Sequence, residues 1–216
     1  MIRVIFFDFD GTILDTRKLA EDALVLTLDE LKLEYDRDEA FGLLGVKMRL
    51  ILGKLGLEAS KIEDGRKLFY KHYTKEMLRS GAEPCVSLEP LYEMMKEFSL
   101  IVVSNSDMGF LEAAIGEMGI GDLFEGVYGA EVGKSKDDVL RRVLAERGFE
   151  TSEGVYVGDR FSDVEFGKKA GMKTVAVSNA CSWSTRDELE SESPDILVED
   201  FCSLRRVINS INGKAR

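Results

Sequence analysis

The sequence is poor in cysteine and in amide side chains. Its three cysteines (Cys85, Cys181 and Cys202) are an odd number without the spacing of a metal site, so a disulfide framework is excluded and we expect free thiols in a reducing cytoplasm. The chain has no glutamine and four asparagines, while 32% of its residues are charged. This bias resembles the composition of proteins from thermophiles.

Long hydrophobic runs and a basic surplus are also missing. The apolar start of the chain ends at Asp8 after six residues, which is too short for a signal peptide or a membrane span. With 40 acidic and 29 basic residues, the formal charge of −11 disfavours nucleic acid and acidic membranes, because both are anionic. With 44% hydrophobic residues the chain can bury a core. We expect a globular protein that is a monomer or a homodimer.

Short apolar runs, each followed by turn residues and a helical pattern, recur along the chain. They predict strands at residues 4–7, 100–103, 127–128, 155–157, 174–177 and 196–198. Continuous apolar runs of this length favour strands that are covered on both faces, as in a parallel sheet. Since helical patterns alternate with the strands, the sequence predicts an α/β fold with a doubly wound parallel sheet.

One interval of the chain breaks this alternation. Residues 16–81 contain helical patterns but no convincing strand; the apolar positions are Leu24, Leu28 and Leu31, and later Phe69, Tyr73 and Met77. Since one crossover helix suffices to join two parallel strands, this interval is too long for a simple connection. We expect a small all-helical domain at residues 16–81, inserted after the first strand, and an α/β core formed by residues 1–15 and 82–216.

Polar side chains lie at or shortly after the ends of four of the predicted strands. They are Asp8, Asp10, Thr12, Ser104, Asn105, Lys134, Asp159 and Asp163. Ligands of open α/β sheets bind outside the carboxyl ends of the strands. Crowded carboxylates need a cation between them, and oxygen ligands without histidine or cysteine favour Mg²⁺. A divalent cation beside a lysine and free helix N–H groups indicates phosphoryl transfer.

Four segments resemble, in order, the motifs of the haloacid dehalogenase superfamily. DFDGT at residues 8–12 resembles the first motif, VVSN at 102–105 the second, Lys134 in VGKSKD at 132–137 the third, and VYVGD at 155–159 followed by Asp163 the fourth. The helical insertion is similar to the C1 cap of the phosphoglycolate-phosphatase-like branch. The resemblance also implies the family's strand order, 5-4-1-2-3.

The resemblance implies catalytic and metal-binding roles for four aspartates. Asp8 would be the nucleophile that forms an aspartyl-phosphate, and Asp10 the general acid and base. Asp8 and Asp159 would bind Mg²⁺ through their carboxylates and Asp10 through its backbone carbonyl, while Asp163 would bind the ion or hold its waters.

The phosphate-binding residues implied by the resemblance are Ser104, Asn105 and Lys134. The third motif usually reads KPxP, whereas this chain has Lys134-Ser135-Lys136-Asp137, so Lys136 competes for the role of the lysine. The position of the following apolar pair, Val139 and Leu140, favours Lys134.

A loop in the helical insertion offers candidate substrate contacts. Lys47 and Arg49 lie where the branch contacts its leaving group, but both are equally well explained as solvated cations at a helix start.

The resemblance predicts a cytoplasmic Mg²⁺-dependent phosphatase that acts on a small phosphorylated metabolite. A phosphomutase of the β-phosphoglucomutase kind is the alternative within the same chemistry, and a non-catalytic binding protein with the same fold is the alternative outside it. Dehalogenases and phosphonatases are disfavoured, since those branches lack an acidic residue at the position of Asp10.

Overall fold

A single parallel sheet organises the chain. The computed structural model describes residues 1–81 and 83–213, so the predicted domain boundary at residue 82 lies outside the described residues. The strands are β1 (Val4–Phe7), β2 (Ser99–Val103), β3 (Gly126–Tyr128), β4 (Gly154–Gly158), β5 (Lys173–Val177) and β6 (Ile196–Val198). Their order is β3-β2-β1-β4-β5-β6, and every neighbouring pair is parallel. The predicted sheet is confirmed, and β6 extends the expected order beyond β5.

Ten α-helices accompany the sheet in the described part of the chain, and those that follow the helical insertion pack on it. The ten helices are α1 (Arg17–Glu30), α2 (Arg37–Gly42), α3 (Met48–Lys54), α4 (Ile62–Ser80), α5 (Glu89–Met94), α6 (Met108–Met118), α7 (Lys136–Arg147), α8 (Phe161–Lys169), α9 (Arg186–Ser191) and α10 (Phe201–Ile211). None of these helices is both long and apolar enough to cross a membrane.

The central strand shows why the sheet has two covered faces. All four residues of β1 are buried. Ile5 and Phe7 belong to one hydrophobic cluster, while Val4 and Phe6 belong to another. Because successive side chains of a strand point to opposite faces, an uninterrupted apolar run places one core on each side of the sheet.

Helices α1 to α4 form what we call the helical segment (residues 16–81), in which no described residue belongs to a strand of the sheet. Leu24 and Leu28 of α1 and Phe69 and Met77 of α4 are buried, and the two helices pack on each other. Helix α4 also packs on α6 of the core. The helical segment is therefore attached to the core by packing as well as by the chain.

The chain enters and leaves the helical segment at one place. The Asp15 N–H donates to the Glu83 carbonyl at 2.9 Å, and the Cys85 N–H donates to the Ile13 carbonyl at 2.9 Å. Leu14 and Pro84 form an antiparallel bridge between these hydrogen bonds. The two connections thus run side by side next to the end of β1. The exact domain limits stay a prediction.

Candidate active site

Three buried carboxylates lie together at the carboxyl edge of the sheet. Asp8 follows β1, Asp159 follows β4, and Asp163 lies in the first turn of α8. Each offers one oxygen to a group whose members all lie within 4.8 Å of one another. We call these residues the carboxylate trio. Three hard oxygen donors at this spacing fit a divalent cation such as Mg²⁺.

The electrostatics of the carboxylate trio also favour a cation. Burial, with the charge of Asp163 as the next cause, raises the pKa of Asp159 to about 7. The same two causes raise the pKa of Asp8 well above its ordinary range. Negative charge in this site is therefore costly until a positive charge joins it.

The turn after β1 fixes one member of the carboxylate trio. Thr12 Oγ1 donates to Asp159 Oδ1 at 2.6 Å, and the Trp183 N–H donates to Asp159 Oδ2 at 2.7 Å. Gly11 has a positive φ of 81°, and a Cβ at this position would lie 2.5 Å from Asp159 Oδ2 and 2.4 Å from Trp183 Cδ1. Only glycine has both the conformation and the space that this turn requires.

The structure decides which of the two candidate lysines lies beside the carboxylates. Lys136, not Lys134, reaches the carboxylate trio: its Nζ lies 2.9 Å from Asp8 Oδ2 and 2.7 Å from Asp163 Oδ1. Lys136 is 4% exposed, whereas Lys134 is exposed and lines a groove elsewhere on the surface. The expectation for Lys134 is therefore wrong.

Helix geometry explains the correction. Lys136 is the first residue of α7, and Val139 and Leu140, three and four residues later, are buried under the sheet. Residues at this spacing share one helix face, so Lys136 points to the same side as the apolar pair. Lys134 precedes the helix by two residues and does not share that face. Burial alone would lower the pKa of Lys136, but Asp163 and Asp8 raise it above its usual range.

Asp10 lies beside the carboxylate trio, and hydroxyl groups surround its carboxylate. Thr16 Oγ1 (2.8 Å) and Tyr73 OH (2.7 Å) donate to its Oδ1. Ser106 Oγ (2.7 Å) and Ser104 Oγ (3.4 Å) donate to its Oδ2. The sequence indicated Ser104 but not the other three. Tyr73 had only an apolar helical spacing as its signal, and such spacing does not distinguish a core tyrosine from a site tyrosine.

The helical segment closes over this edge of the sheet. The Tyr73 ring stacks on Phe110 of α6 with centroids 3.9 Å apart, and Tyr70 OH donates to the Asn105 carbonyl at 3.3 Å. Asn105 Nδ2 in turn donates to the Gly45 carbonyl at 3.0 Å. The space left beside Asp8, which we call the inner cavity, is about 30 Å³. A cavity of this size accommodates one or two waters, not a phosphate ester.

The two cations expected to contact the leaving group do not line the inner cavity. Lys47 Nζ donates to the carbonyls of Ala130 (2.7 Å) and Gly133 (2.6 Å) in the core. Burial and the charge of Arg49 lower the pKa of Lys47. Arg49 forms an ion pair with Glu63 at 2.9 Å. In this closed arrangement Lys47 attaches the helical segment to the core, and Arg49 links α3 to α4 within the helical segment.

Solved structures share this fold over almost the whole chain. A haloacid dehalogenase-like hydrolase, SP0104 from Streptococcus pneumoniae, has a TM-score of 0.80 at 19% identity and covers 96% of this chain and 98% of its own. CbbY from Rhodobacter sphaeroides, solved in complex with phosphate, has a TM-score of 0.81 at 21% identity, with 94% and 96% covered. These likenesses define the class of fold.

Sequence comparison then gives the family. The sequence pattern of the haloacid dehalogenase-like hydrolase family matches residues 5–177 of this chain, and the chain belongs to that family. A phosphoglycolate phosphatase from Aquifex aeolicus is 33% identical over 180 residues, which cover 80% of this chain and 83% of the relative. A pyrophosphatase, PpaX from Bacillus mycoides, is 25% identical over 223 residues, with 98% and 99% covered. The predicted superfamily and its phosphoglycolate-phosphatase-like branch are confirmed.

Proposed function

We propose that the protein is a Mg²⁺-dependent phosphatase that hydrolyses a small phosphomonoester through an aspartyl-phosphate on Asp8. The observation that carries this proposal is the contact of Lys136 with Asp8. Asp8 lies next to two further buried aspartates and precedes Asp10 by two residues. The relatives named phosphatase and pyrophosphatase support the same chemistry.

Asp8 and Asp10 divide the reaction into two steps. In the first, an oxygen of the Asp8 carboxylate attacks phosphorus and the ester bond breaks, while a proton from Asp10 goes to the leaving oxygen. In the second, Asp10 takes a proton from a water that attacks the aspartyl-phosphate. Inorganic phosphate leaves, and both aspartates return to their starting states. The hydroxyls around Asp10 hold its carboxylate in place for both proton transfers.

Positive charge is needed at this site throughout the reaction. Lys136 compensates the charge of Asp8 and of the phosphoryl group, while Ser104 and the backbone of Asn105 bind phosphate oxygens. The carboxylate trio and the backbone carbonyl of Asp10 would hold Mg²⁺. The bound ion would supply Lewis-acid stabilisation of the charge on the phosphoryl oxygens.

The helical segment acts as a cap in this proposal. Because the inner cavity of about 30 Å³ is too small for a phosphate ester, the cap opens to admit the substrate and closes to exclude water from the aspartyl-phosphate. The three cysteines, which are free thiols, support a cytoplasmic location. The amide-poor composition supports a heat-adapted source.

The alternatives receive less support. The relatives that cover most of the chain carry phosphatase names, and no contact among the described residues favours return of the phosphoryl group to a sugar. A non-catalytic binding protein would not need Asp8, Asp10 and Lys136 together in one buried site.

Hydrolysis of p-nitrophenyl phosphate tests the proposal. We expect turnover with Mg²⁺ and its loss in EDTA. Asp8→Asn removes the nucleophile and is expected to lower kcat by about 1,000-fold or more. Asp122→Asn, which changes an exposed aspartate, is the matched control and is expected to keep wild-type turnover. Near wild-type turnover of Asp8→Asn would show that the nucleophile is assigned wrongly.

A further inference from the structure

Two hydrogen-bond donors at the inner cavity lack a partner. Among the described residues, five buried side-chain polar atoms form no hydrogen bond, and two of them are Arg160 Nε and Trp183 Nε1. Both side chains line the inner cavity together with Asp8 and Asp10. Buried donors are almost always paired with protein or with water, so these two are free to donate to an acceptor that enters the cavity.

Arg160 is fixed at the edge of the carboxylate trio. It directly follows Asp159, and its backbone N–H donates to Asp163 Oδ2 at 3.1 Å. Its guanidinium donates through Nη1 to the Leu44 carbonyl of the helical segment and lies 5.6 Å from the ring of Trp183. The guanidinium is thus held between the helical segment and the indole, with its Nε–H still free.

The same side chains separate the inner cavity from a larger space. Leu44, Arg160 and Trp183 line both the inner cavity and an outer groove of about 310 Å³. This groove also contains Arg17, which pairs with Glu21 at 3.4 Å. The groove is also lined by one acidic residue, Glu188. The Glu188 carboxylate accepts hydrogen bonds from the backbone N–H and the hydroxyl of Thr185. A substrate with its phosphoryl group at Asp8 would therefore meet Arg160 and Trp183 before the outer groove.

A second groove, of about 400 Å³, meets the inner cavity at Met48 and Tyr70 but is less suited to an anion. Three of its four cations are engaged: Lys47 donates to two carbonyls, and both Arg49 and Arg66 pair with Glu63, at 2.9 and 2.5 Å. Arg66 also pairs with Asp107, whereas the fourth cation, Lys134, is exposed. Asp107 Oδ1 is buried without a donor in this groove. Among the described residues that line this groove, no buried side-chain donor lacks a partner, and an anion next to Asp107 would meet its negative charge.

We propose that Arg160 and Trp183 bind a second anionic group, a carboxylate or a phosphate, on the leaving-group side of the substrate. This assignment rests on the proposed phosphatase function and adds the substrate class: phosphate compounds with a second anion close to the scissile bond. The Arg160 Nε–H and the Trp183 Nε1–H donate to that anion, and the guanidinium charge offsets its charge. This pair takes the place that the sequence suggested for Lys47 and Arg49.

Matched substrates test the assignment. Ethyl phosphate has no second anion, 2-phosphoglycolate carries a carboxylate, and pyrophosphate carries a second phosphate. The readout is the selectivity ratio, which is kcat/KM for 2-phosphoglycolate or for pyrophosphate divided by kcat/KM for ethyl phosphate. The larger ratio in the wild-type protein identifies the anion that the site prefers.

Three variants separate recognition from folding. Arg160→Gln is expected to lower the larger selectivity ratio by about 10- to 100-fold, the effect of losing a charge-assisted hydrogen bond. Trp183→Phe removes one N–H, keeps an aromatic ring and is expected to lower the ratio about threefold or more. The control, Lys134→Gln, removes a cation that lines the second groove and is expected to leave the ratio unchanged. Melting temperatures of all three variants check that they fold.

The outcomes distinguish this inference from the function on which it rests. Ratios that stay at the wild-type value in both Arg160→Gln and Trp183→Phe, or a ratio that falls in Lys134→Gln instead, would overturn the assignment while the phosphatase stands. A wild-type protein that prefers ethyl phosphate would overturn it as well. A wild-type protein that hydrolyses p-nitrophenyl phosphate in Mg²⁺ but none of the three substrates would overturn the assignment alone. A protein that hydrolyses none of the four compounds would contradict the proposed function itself.

Discussion

At the scale of single residues, Lys136 holds a positive charge where burial opposes it. Its ammonium group is nearly inaccessible to water, and its contacts with Asp8 and Asp163 keep it charged. The buried aspartates could be predicted because they directly follow apolar strands. The lysine was harder to assign, since the loop before α7 lacks the prolines of the usual motif. In the sequence alone the apolar pair Val139 and Leu140 favours Lys134, but once α7 is known to begin at Lys136, the helical spacing to this pair identifies Lys136 instead.

A lysine exchange tests this placement. Lys136→Ala leaves Asp8 and Asp163 buried without their cation, so we expect kcat/KM for p-nitrophenyl phosphate to fall by about 100-fold or more and the melting temperature to fall as well. Lys134→Ala removes an exposed side chain and is expected to stay within about twofold of wild type in kcat/KM. Greater loss in Lys134→Ala than in Lys136→Ala would restore Lys134 as the active-site lysine.

At the scale of elements, the turn after β1 and helix α4 complete the site from opposite sides. Apolar spacing predicted that α4 is helical and that Phe69, Tyr73 and Met77 share a face. It could not show that Tyr73 faces the core and donates to Asp10, because spacing along a helix does not say what lies against that helix. The turn after β1 could be predicted in more detail than the contacts of α4, because the sequence motif DFDGT already contains the glycine that the geometry of the turn requires.

A glycine exchange tests the turn. Gly11→Ala would place a Cβ against Asp159 and Trp183 at a positive φ, so we expect a loss of about 1–3 kcal/mol in the free energy of unfolding and a large loss of turnover. Gly116→Ala is the matched control, because Gly116 lies inside α6 with open space around it. That exchange is expected to stabilise the protein by about 0.5–1 kcal/mol. Equal melting temperatures and activities in the two variants would refute the argument for the turn.

At the scale of the whole molecule, local arrangement outweighs total charge. A charge of −11 opposes anionic ligands in general, yet the site combines carboxylates suited to a cation with a buried lysine and an arginine. The parallel sheet and the helical insertion could be predicted, since both follow from the alternation of short apolar runs with helical patterns. The closure of the helical segment over the sheet could not, because it depends on contacts such as Lys47 with Ala130 that join residues far apart in the chain.

The effect of pH on stability tests the charge balance of the site. The folded pKa of Asp159, about 7, exceeds its ordinary value of 3.8, and the pKa of Asp8 is raised in the same direction. The metal-free folded protein therefore keeps protons that the unfolded chain releases, and its stability falls as the pH rises through 7. Mg²⁺ favours the ionised carboxylates, so we expect it to raise the melting temperature more at pH 8 than at pH 5.5.

The control for this prediction is NaCl at equal ionic strength, which screens the total charge without binding the carboxylate trio. An equal Mg²⁺ effect at the two pH values, or an equal effect of NaCl, would show that the carboxylate trio is not the site of the stabilisation.

The central claim is that Asp8 carries the phosphoryl group, and chemical trapping tests it most directly. Protein quenched during turnover of p-nitrophenyl phosphate is treated with borohydride, which reduces an acyl phosphate to an alcohol and so converts aspartate to homoserine. The account predicts homoserine at position 8 by peptide mass spectrometry, with Asp10, Asp159 and Asp163 unchanged and no homoserine without substrate. Homoserine at another aspartate, or sustained turnover with none at position 8, would contradict the account.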